Sequence, residues 1–290
     1  MNKPYYEQIA IIGTGMMGTS LGLAIKKAGL CNKIIGIDRN FDNLKIARNL
    51  SAIDSYTDCL KDGIADAVLI IFAIPTLSIY EVAKRIVYAV RKDAIITDIG
   101  STKGELTYKM TELFYGHSNY VGSHPITGTE KSGAINAVHD LYNGKKCILT
   151  PIDKTEQFAV DAIRMFWESI GSDITIMDPY EHDRIMAMVS HLPHFVAYSL
   201  VGSIIEREKA GDNLLTYAGG GLKDYTRIAS SDPVMWKDIF LSNSKEILAA
   251  IDQFTKTMMR LKQLIKEKDG KGIHNFLEQV REVRRQIVDK

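Results

Sequence analysis

Cysteine is scarce: Cys31, Cys59 and Cys147 are the only three in 290 residues, odd in number and widely spaced. That excludes a disulfide framework and any cysteine-based metal or redox spacing, and it fits a reduced, cytoplasmic compartment. An excess of one charge is also missing. The 36 Lys and Arg balance 35 Asp and Glu to a net charge of +1, which leaves no basic footprint for nucleic acid. Long apolar runs are absent: the longest, such as residues 67–74, have the length of a strand and are too short to span a bilayer. The polar and aromatic start, residues 2–8, has no signal-peptide pattern. No internal repeat or low-complexity segment occurs. The expectation is a cytoplasmic protein without membrane or nucleic-acid partners, long enough for one large or two medium domains with ample core.

What is present is organised around Gly13, Gly15 and Gly18. A short apolar run, residues 9–12, ends in Gly-Thr-Gly-Met-Met-Gly and passes at once into an Ala/Leu/Ile-rich amphipathic segment. A lone Gly-x-Gly-x-x-Gly is often an ordinary tight turn, but strand, glycine turn and helix in this order are the context a dinucleotide site requires. Gly13 makes the turn, Gly15 lets the backbone approach a pyrophosphate, and Gly18 lets the helix sit close to the strand. The pyrophosphate then rests on the free N–H groups at Gly15, Met16 and Met17, at the positive end of the helix. A second strand, residues 33–38, ends in Asp38, twenty residues after Gly18. A carboxylate there accepts both ribose hydroxyls and repels a 2′-phosphate, which favours NAD over NADP. Arg39 beside it could stack on adenine or greet a 2′-phosphate, so NADP stays open as the lesser choice.

Further strands are expected at 67–72, 94–98, 119–123, 146–150 and 173–177, with helices at 41–49, 76–90 and 155–170 between them. The run at 67–72 is unbroken in its apolar character, as in a parallel strand covered on both faces. Ala73, Ile74 and Pro75 follow it where a cofactor would cross the sheet. Alternating strands and helices predict an α/β fold with an N-terminal Rossmann-type doubly wound, mostly parallel sheet. After Asp178-Pro179 no strand pattern remains, so residues 179–290 are expected to form an all-helical domain following a nucleotide-binding domain of residues 1–178. The last helix, 273–288, is highly charged and reads as a solvated face.

Three polar clusters fall where chemistry is possible, since ligands lie beyond the carboxyl ends of strands in open α/β sheets. The first is Asp98-Ile-Gly-Ser-Thr-Lys103-Gly-Glu105. Thr102 and Glu105 have the spacing of a capping box, which leaves Ser101 and Lys103 free to face the cofactor crevice or, for Ser101, to serve simple turn chemistry. The second follows the fifth strand: His124-Pro125-Ile-Thr127-Gly-Thr129-Glu130-Lys131-Ser-Gly133. An imidazole of near-neutral pKa at that place suits a general base for alcohol oxidation. The third lies in the helical half, with His191, His194, Arg227 and Trp236. His191 and His194 share a helix face, but two ligands without a nearby cysteine do not make a metal site, and no metal is expected. They read as anchors for an anionic substrate or as satisfied core histidines. Arg227 could form a fork-to-fork pair with a carboxylate or a structural salt bridge to Asp224, and Trp236 reads as core.

The sequences Gly-Thr-Gly-Met-Met-Gly, Asp-Ile-Gly-Ser-Thr-Lys, Gly-Ser-His-Pro-Ile-x-Gly-Thr-Glu-Lys-Ser-Gly, Ser-His-Leu-Pro-His and Asp-Tyr-Thr-Arg-Ile-Ala together resemble the prephenate/arogenate dehydrogenase family of tyrosine and aromatic amino acid biosynthesis. The resemblance runs over nearly the whole chain in the family's order. It implies an NAD(P)-dependent oxidative decarboxylation of a cyclohexadienol, prephenate or arogenate. By the same resemblance His124 takes the ring hydroxyl proton and Ser101 orients the hydroxyl, His124 and the nicotinamide. Arg227 binds a substrate carboxylate, His191 or His194 faces the side chain, and Thr129, Glu130 and Lys131 line or gate the cleft. The family's helical domain builds a homodimer. Two positions depart from the pattern: Thr127 stands where alanine is commoner and Lys223 where arginine is. Prephenate is the favoured substrate, because His191 and His194 offer donors for a pyruvyl group. Other readings are a β-hydroxyacid-type dehydrogenase, which would rely on a lysine of the helical half, and a non-catalytic NAD-binding sensor.

Overall fold

The computed structural model describes residues 5–288. In chain order it runs β1 (Tyr6–Ile12), α1 (Met16–Ala28), β2 (Cys31–Ile37), α2 (Phe41–Asn49), β3 (Ser55–Thr57), α3 (Leu60–Ile64), β4 (Leu69–Phe72) and α4 (Thr76–Ile86). Then follow β5 (Ile95–Asp98), α5 (Gly104–Phe114), β6 (Asn119–Pro125), β7 (Lys146–Thr150), α6 (Gln157–Ser169) and β8 (Asp173–Ile176). The eight strands form one sheet in the order β3-β2-β1-β4-β5-β6-β7-β8. Pairing is parallel from β3 to β6, antiparallel between β6 and β7, and parallel again between β7 and β8. The short edge strand β3 joins the seven read from the sequence. Its three residues, Ser-Tyr-Thr, are too few and too polar to show periodicity.

Alternation along the central strands explains the two-faced core. Ile9 and Ile11 of β1, with Leu69 and Ile71 of β4, pack under α1, α2 and α6. Ala10 and Ile12, with Ile70 and Phe72, pack on the other side with α4 and α5. Successive residues of a strand point to opposite faces, so a strand buried on both must be apolar throughout. Each such Ile or Leu contributes roughly 1.5–3 kcal/mol by leaving water. Because β1 leads outward to β2 on one side while β4 lies on the other, the chain reverses direction at β1 and β4. A crevice opens at that reversal beyond the strand ends.

From Pro179 onward the described chain is helical: α7 (Pro179–Met186), a π-helical turn (Ala187–His191), α8 (Leu192–Lys209), α9 (Gly220–Thr226), α10 (Pro233–Ser242), α11 (Ser244–Lys266) and α12 (Gly270–Val288). Asp178 caps α7 by accepting from the N–H groups of Tyr180 and Glu181, with Pro179 at the first position. Two compact units result, residues 1–244 and 245–290. The first extends beyond the change to helix at residue 179, because α7 packs against α5 and α10 against α4. The continuous helical run Pro179–Lys209 is long and apolar enough to cross a membrane by length and composition, which the strand-length runs did not foretell. Its His182, Asp183 and His191 are instead buried in hydrogen bonds within the first unit. In the second unit, α11 and α12 expose Met258, Met259, Ile265, Leu277, Val280 and Val283.

Candidate active site

The turn from β1 into α1 runs beside the end of β4, with open space over Gly15, as a phosphate cradle requires. A Cβ on Gly13, where φ is 98°, would lie 2.3 Å from the Ala73 carbonyl oxygen, and one on Gly18 would lie 2.0 Å from that of Gly13. Around Gly15 a Cβ would meet nothing within 4 Å. The first two positions are closed by the fold itself; the third opens onto free space. Among the described residues no side chain caps α1 and no acid stands in its first turn, so its leading N–H groups are available to an anion. Across the crevice Asp38 accepts hydrogen bonds from Thr14 N (2.8 Å), Thr14 Oγ1 (3.1 Å) and Asn40 N (2.9 Å). Arg39 is exposed beside it, and Ala73, Ile74 and Pro75 form the wall after β4. These residues fit a nucleotide.

The contrast between the glycines makes a prediction. Gly15→Val is expected to fold with little change in melting temperature but to weaken nucleotide binding at least tenfold. Gly18→Ala is expected to lower stability itself, because its Cβ meets backbone. Calorimetric titration with NAD beside a thermal melt checks both.

A buried polar centre lies at the carboxyl ends of β5 and β6. Asp98 is fully buried, and it accepts from Tyr120 Oη (2.7 Å), Gly100 N (2.8 Å) and the ammonium of Lys103, which is equally buried. Lys103 is therefore not free to face the crevice, as its place in the sequence suggests. The expected capping box is not made either. Thr102 Oγ1 pairs with Ser242 Oγ at 3.0 Å and Glu105 with Lys109. The cap of α5 comes from a distant residue: the Asp183 carboxylate accepts from Lys103 N (2.7 Å) and Gly104 N (2.9 Å). Ser101, partly buried at the same strand end, has no hydrogen-bond partner among the described residues.

His124 is not in a loop after the fifth strand. Antiparallel pairing with β7, His124 opposite Ile148 and Pro125 opposite Cys147, carries β6 through both residues and gives the imidazole a rigid mount. His124 Nδ1 lies 2.8 Å from His182 Nε2, and His182 Nδ1 lies 2.8 Å from Asp183 Oδ1. A carboxylate only accepts, so Nδ1–H of His182 donates to it and Nε2 of His182 accepts from Nδ1–H of His124. The chain Asp183–His182–His124 thus leaves the lone pair of His124 on Nε2. Burial, then the His182 ring, then the Lys103 ammonium and His191 hold the His124 pKa well below its ordinary value. The near-neutral imidazole expected from the sequence is a more weakly basic one, neutral well into the acid range.

The helical residues form a second wall. His191 closes the π-helical turn, buried, with Nδ1 3.2 Å from Asn243 Nδ2; burial pushes its pKa down to about 4. Asn243 Nδ2 also donates to the Asp183 carbonyl at 2.8 Å. His194 stacks on Trp236, 3.7 Å between centroids, and its Nδ1–H donates to the Ser190 carbonyl (2.9 Å). Burial lowers its pKa as well. In its neutral form it presents an acceptor at Nε2, not the donor anticipated for it. Trp236 is buried, as read, but its Nε1–H has no partner among the described residues. Arg227 pairs with Glu130 (2.9 Å), not with Asp224, and it acts electrostatically on His194. Thr129 and Lys131 are exposed, and Thr129 Oγ1 accepts from Lys131 N (3.2 Å) within the loop. The Thr127 hydroxyl donates to the Leu141 carbonyl (3.0 Å), so the departure at this position ties down the loop.

Sequence reading missed His182, Asp183 and Asn243. One signal was present: Asp178-Pro179 opens a helix, and an adjacent His-Asp pair follows one turn later, on a helix that packs against α5.

Residues 21–176 match the family model described as prephenate dehydrogenase, nucleotide-binding domain, and residues 178–279 the model described as prephenate dehydrogenase, dimerization domain. The chain is 37% identical to the prephenate dehydrogenase of Aquifex aeolicus solved in complex with hydroxyphenyl propionate and NAD+, with a TM-score of 0.92 over 97% of this chain and 98% of that one. It is 34% identical to the cyclohexadienyl dehydrogenase of Zymomonas mobilis over 91% of this chain and 90% of that protein. It is 31% identical to the prephenate dehydrogenase of Bacillus subtilis over 96% of this chain and 75% of that protein. With both halves matched in order and relatives alike over nearly its whole length, the chain belongs to the prephenate dehydrogenase family of oxidoreductases.

Proposed function

We propose that this chain oxidises and decarboxylates prephenate to 4-hydroxyphenylpyruvate with NAD, the step that makes the aromatic ring of tyrosine. The observation that carries the reading is the Asp183–His182–His124 chain, which presents an unprotonated Nε2 at the strand ends beside the nucleotide crevice. Gly13, Gly15, Met16, Met17, Gly18, Asp38, Arg39, Ala73, Ile74, Pro75 and Ser101 would hold NAD, which supplies the hydride acceptor when bound. His124 Nε2 takes the proton of the ring hydroxyl as the hydride leaves the same carbon. Carbon dioxide then departs, its electron pair closes the aromatic ring, and the proton on Nε2 returns to the phenolate oxygen. Aromatisation drives the reaction, so the protein chiefly positions and accepts a proton. Ser101, whose hydroxyl is uncommitted, orients the substrate hydroxyl. Arg227 meets a substrate carboxylate beside Glu130 at the cleft mouth, with Thr129 and Lys131 on the same loop. His191 and His194 face the side chain.

One observation favours arogenate as a second reading: the His194 acceptor at Nε2 suits an ammonium better than a keto group. Steady-state production of reduced nicotinamide from prephenate and arogenate, each with NAD and NADP, tests both. Fastest turnover of prephenate with NAD is expected. Equal or better turnover of arogenate would shift the substrate, and silence in all four pairs, with NAD still bound, would defeat the reaction. The division of labour at residues 178 and 179, nucleotide before and substrate and assembly after, belongs to the same proposal. So do a homodimer through the helical part, supported by the apolar residues that α11 and α12 expose, and a cytoplasmic setting in which the three free cysteines stay thiols.

The pH dependence has a definite sign. His124 must be neutral to act, and its pKa in the folded chain lies well below 6.5. The rate constant kcat/KM is therefore expected to stay flat from neutral pH down through 6.5 and to fall tenfold per unit only beneath the depressed value. An acid limb with its midpoint at 6.5 or higher would contradict the assignment.

A further inference from the structure

We propose that Asn43, on the nucleotide-side helix α2, is a positioning residue for the loop that brings Glu130 to Arg227. This inference rests on the reading of the Glu130–Arg227 pair as part of the substrate cleft.

The loop leaves the end of β6 and is fixed at its near end by Ile126 N on the Lys146 carbonyl (2.7 Å) and by Thr127 Oγ1 on the Leu141 carbonyl. Between Gly128 and Gly133, both at positive φ, the backbone ties among the described residues are local, Lys131 N to Thr129 Oγ1 and the Ser132 and Gly133 carbonyls to Asn136; Glu130 reaches Arg227 through its side chain. The far end is held by α2: Asn43 Oδ1 accepts from Ala134 N at 3.1 Å, and the short 3-10 turn Ala134–Asn136 packs on both α1 and α2. Beyond it, Val138 N donates to Ser20 Oγ (2.9 Å) and Tyr142 Oη to the Met17 carbonyl (2.7 Å), both on α1.

Asn43 is well placed for this. It is the third residue of α2, its own N–H donates to the Asn40 cap, and its side chain is free to reach outward. Asn40 N in turn donates to Asp38, which accepts from Thr14. One helical turn therefore links the ribose end of the nucleotide site to the loop carrying Glu130. Losing the Asn43 acceptor frees the loop at the anchor nearest to Glu130 on that side, so the Glu130–Arg227 pair is less often in place when the acidic substrate arrives.

The test is a double-mutant cycle on the full-length enzyme with NAD at saturation: wild type, Asn43→Ala, Glu130→Gln and both together. The readouts are the Kd of hydroxyphenyl propionate by calorimetry, the Kd of NAD, and KM and kcat for prephenate. Asn43→Ala is expected to weaken hydroxyphenyl propionate and raise KM about fivefold, in keeping with one hydrogen bond, while kcat and the Kd of NAD hold. Asn43→Asp, which keeps an acceptor oxygen, is expected to restore binding. In the Glu130→Gln background the Asn43→Ala effect is expected to vanish. An effect of the same size in both backgrounds, or none in Asn43→Ala while Glu130→Gln binds weakly, would overturn the proposal alone. An unchanged Kd in Glu130→Gln would overturn the reading of the cleft mouth and this proposal with it.

Discussion

His124→Asn is expected to lower kcat by about a thousandfold while leaving the Kd of NAD unchanged. A positioned general base contributes on the order of 10²–10⁴ in rate, and a thousandfold corresponds to about 4 kcal/mol of barrier. Asparagine keeps a polar group near His182 and fits the space of the ring, so β6 and its pairing with β7 should survive. What it lacks is a basic nitrogen at the position of Nε2. The nucleotide cradle at Gly13, Gly15 and Gly18 takes no part in the His124 hydrogen bonds, which is why cofactor affinity should hold. Calorimetric NAD titration and single-turnover kinetics on the same preparation separate the two effects. A loss of less than tenfold would mean that water or another group takes the proton. A loss of NAD binding would mean that His124 holds the crevice together. Asp183→Asn supplies the companion measurement: an amide donor in place of Oδ1 would reverse the tautomers along the chain and leave Nε2 of His124 protonated and unable to accept, at the cost of the hydrogen bond that the same oxygen accepts from Lys103 N.

The glycine turn between β1 and α1 was legible because its requirements are local. Gly13, Gly15, Gly18 and Asp38 lie within one strand-turn-helix-strand unit, and each is demanded by a backbone contact or an exposed first turn that the order of residue types discloses. The buried histidine centre was half legible. His124 stood out by its place after an apolar run, whereas the pair that orients it comes from 58 positions further along, on a helix whose own periodicity says nothing of what it faces. The same nonlocality undid the capping box at Thr102 and Glu105: Asp183 reaches the start of α5 first and satisfies both N–H groups. Strand ends erred for a related reason. β6 runs on through Pro125 because β7 supplies an antiparallel partner, and pairing is a property of two segments that neither shows alone. The change to helix at Pro179 was marked by Asp178 and Pro179, while the packing of α7 and α10 onto the sheet-bearing unit was invisible in a helical pattern.

Lys103→Met is expected to destabilise the first unit by about 3–5 kcal/mol, the usual cost of leaving one partner of a buried ion pair uncompensated. Asp98 has no access to water, and Tyr120 and Gly100 offer it only neutral donors. Urea unfolding followed by tryptophan fluorescence reads this unit directly, since Trp167 and Trp236 both lie in it. Asp98→Asn combined with Lys103→Met removes both charges, and the double variant is expected to recover part of the loss, as coupled neighbours do. A single-variant loss below about 1 kcal/mol would place the pair in the class of weak surface bridges and contradict its burial. The charge also has a consequence for the reaction. The Lys103 ammonium is among the groups that hold His124 neutral; without it the imidazolium becomes easier to form, and the acid limb of kcat/KM should move to higher pH. A buried cation that stabilises the fold through Asp98 would then also be setting the pH range in which the base can work. An acid limb that stays in place in Lys103→Met would confine Lys103 to the fold.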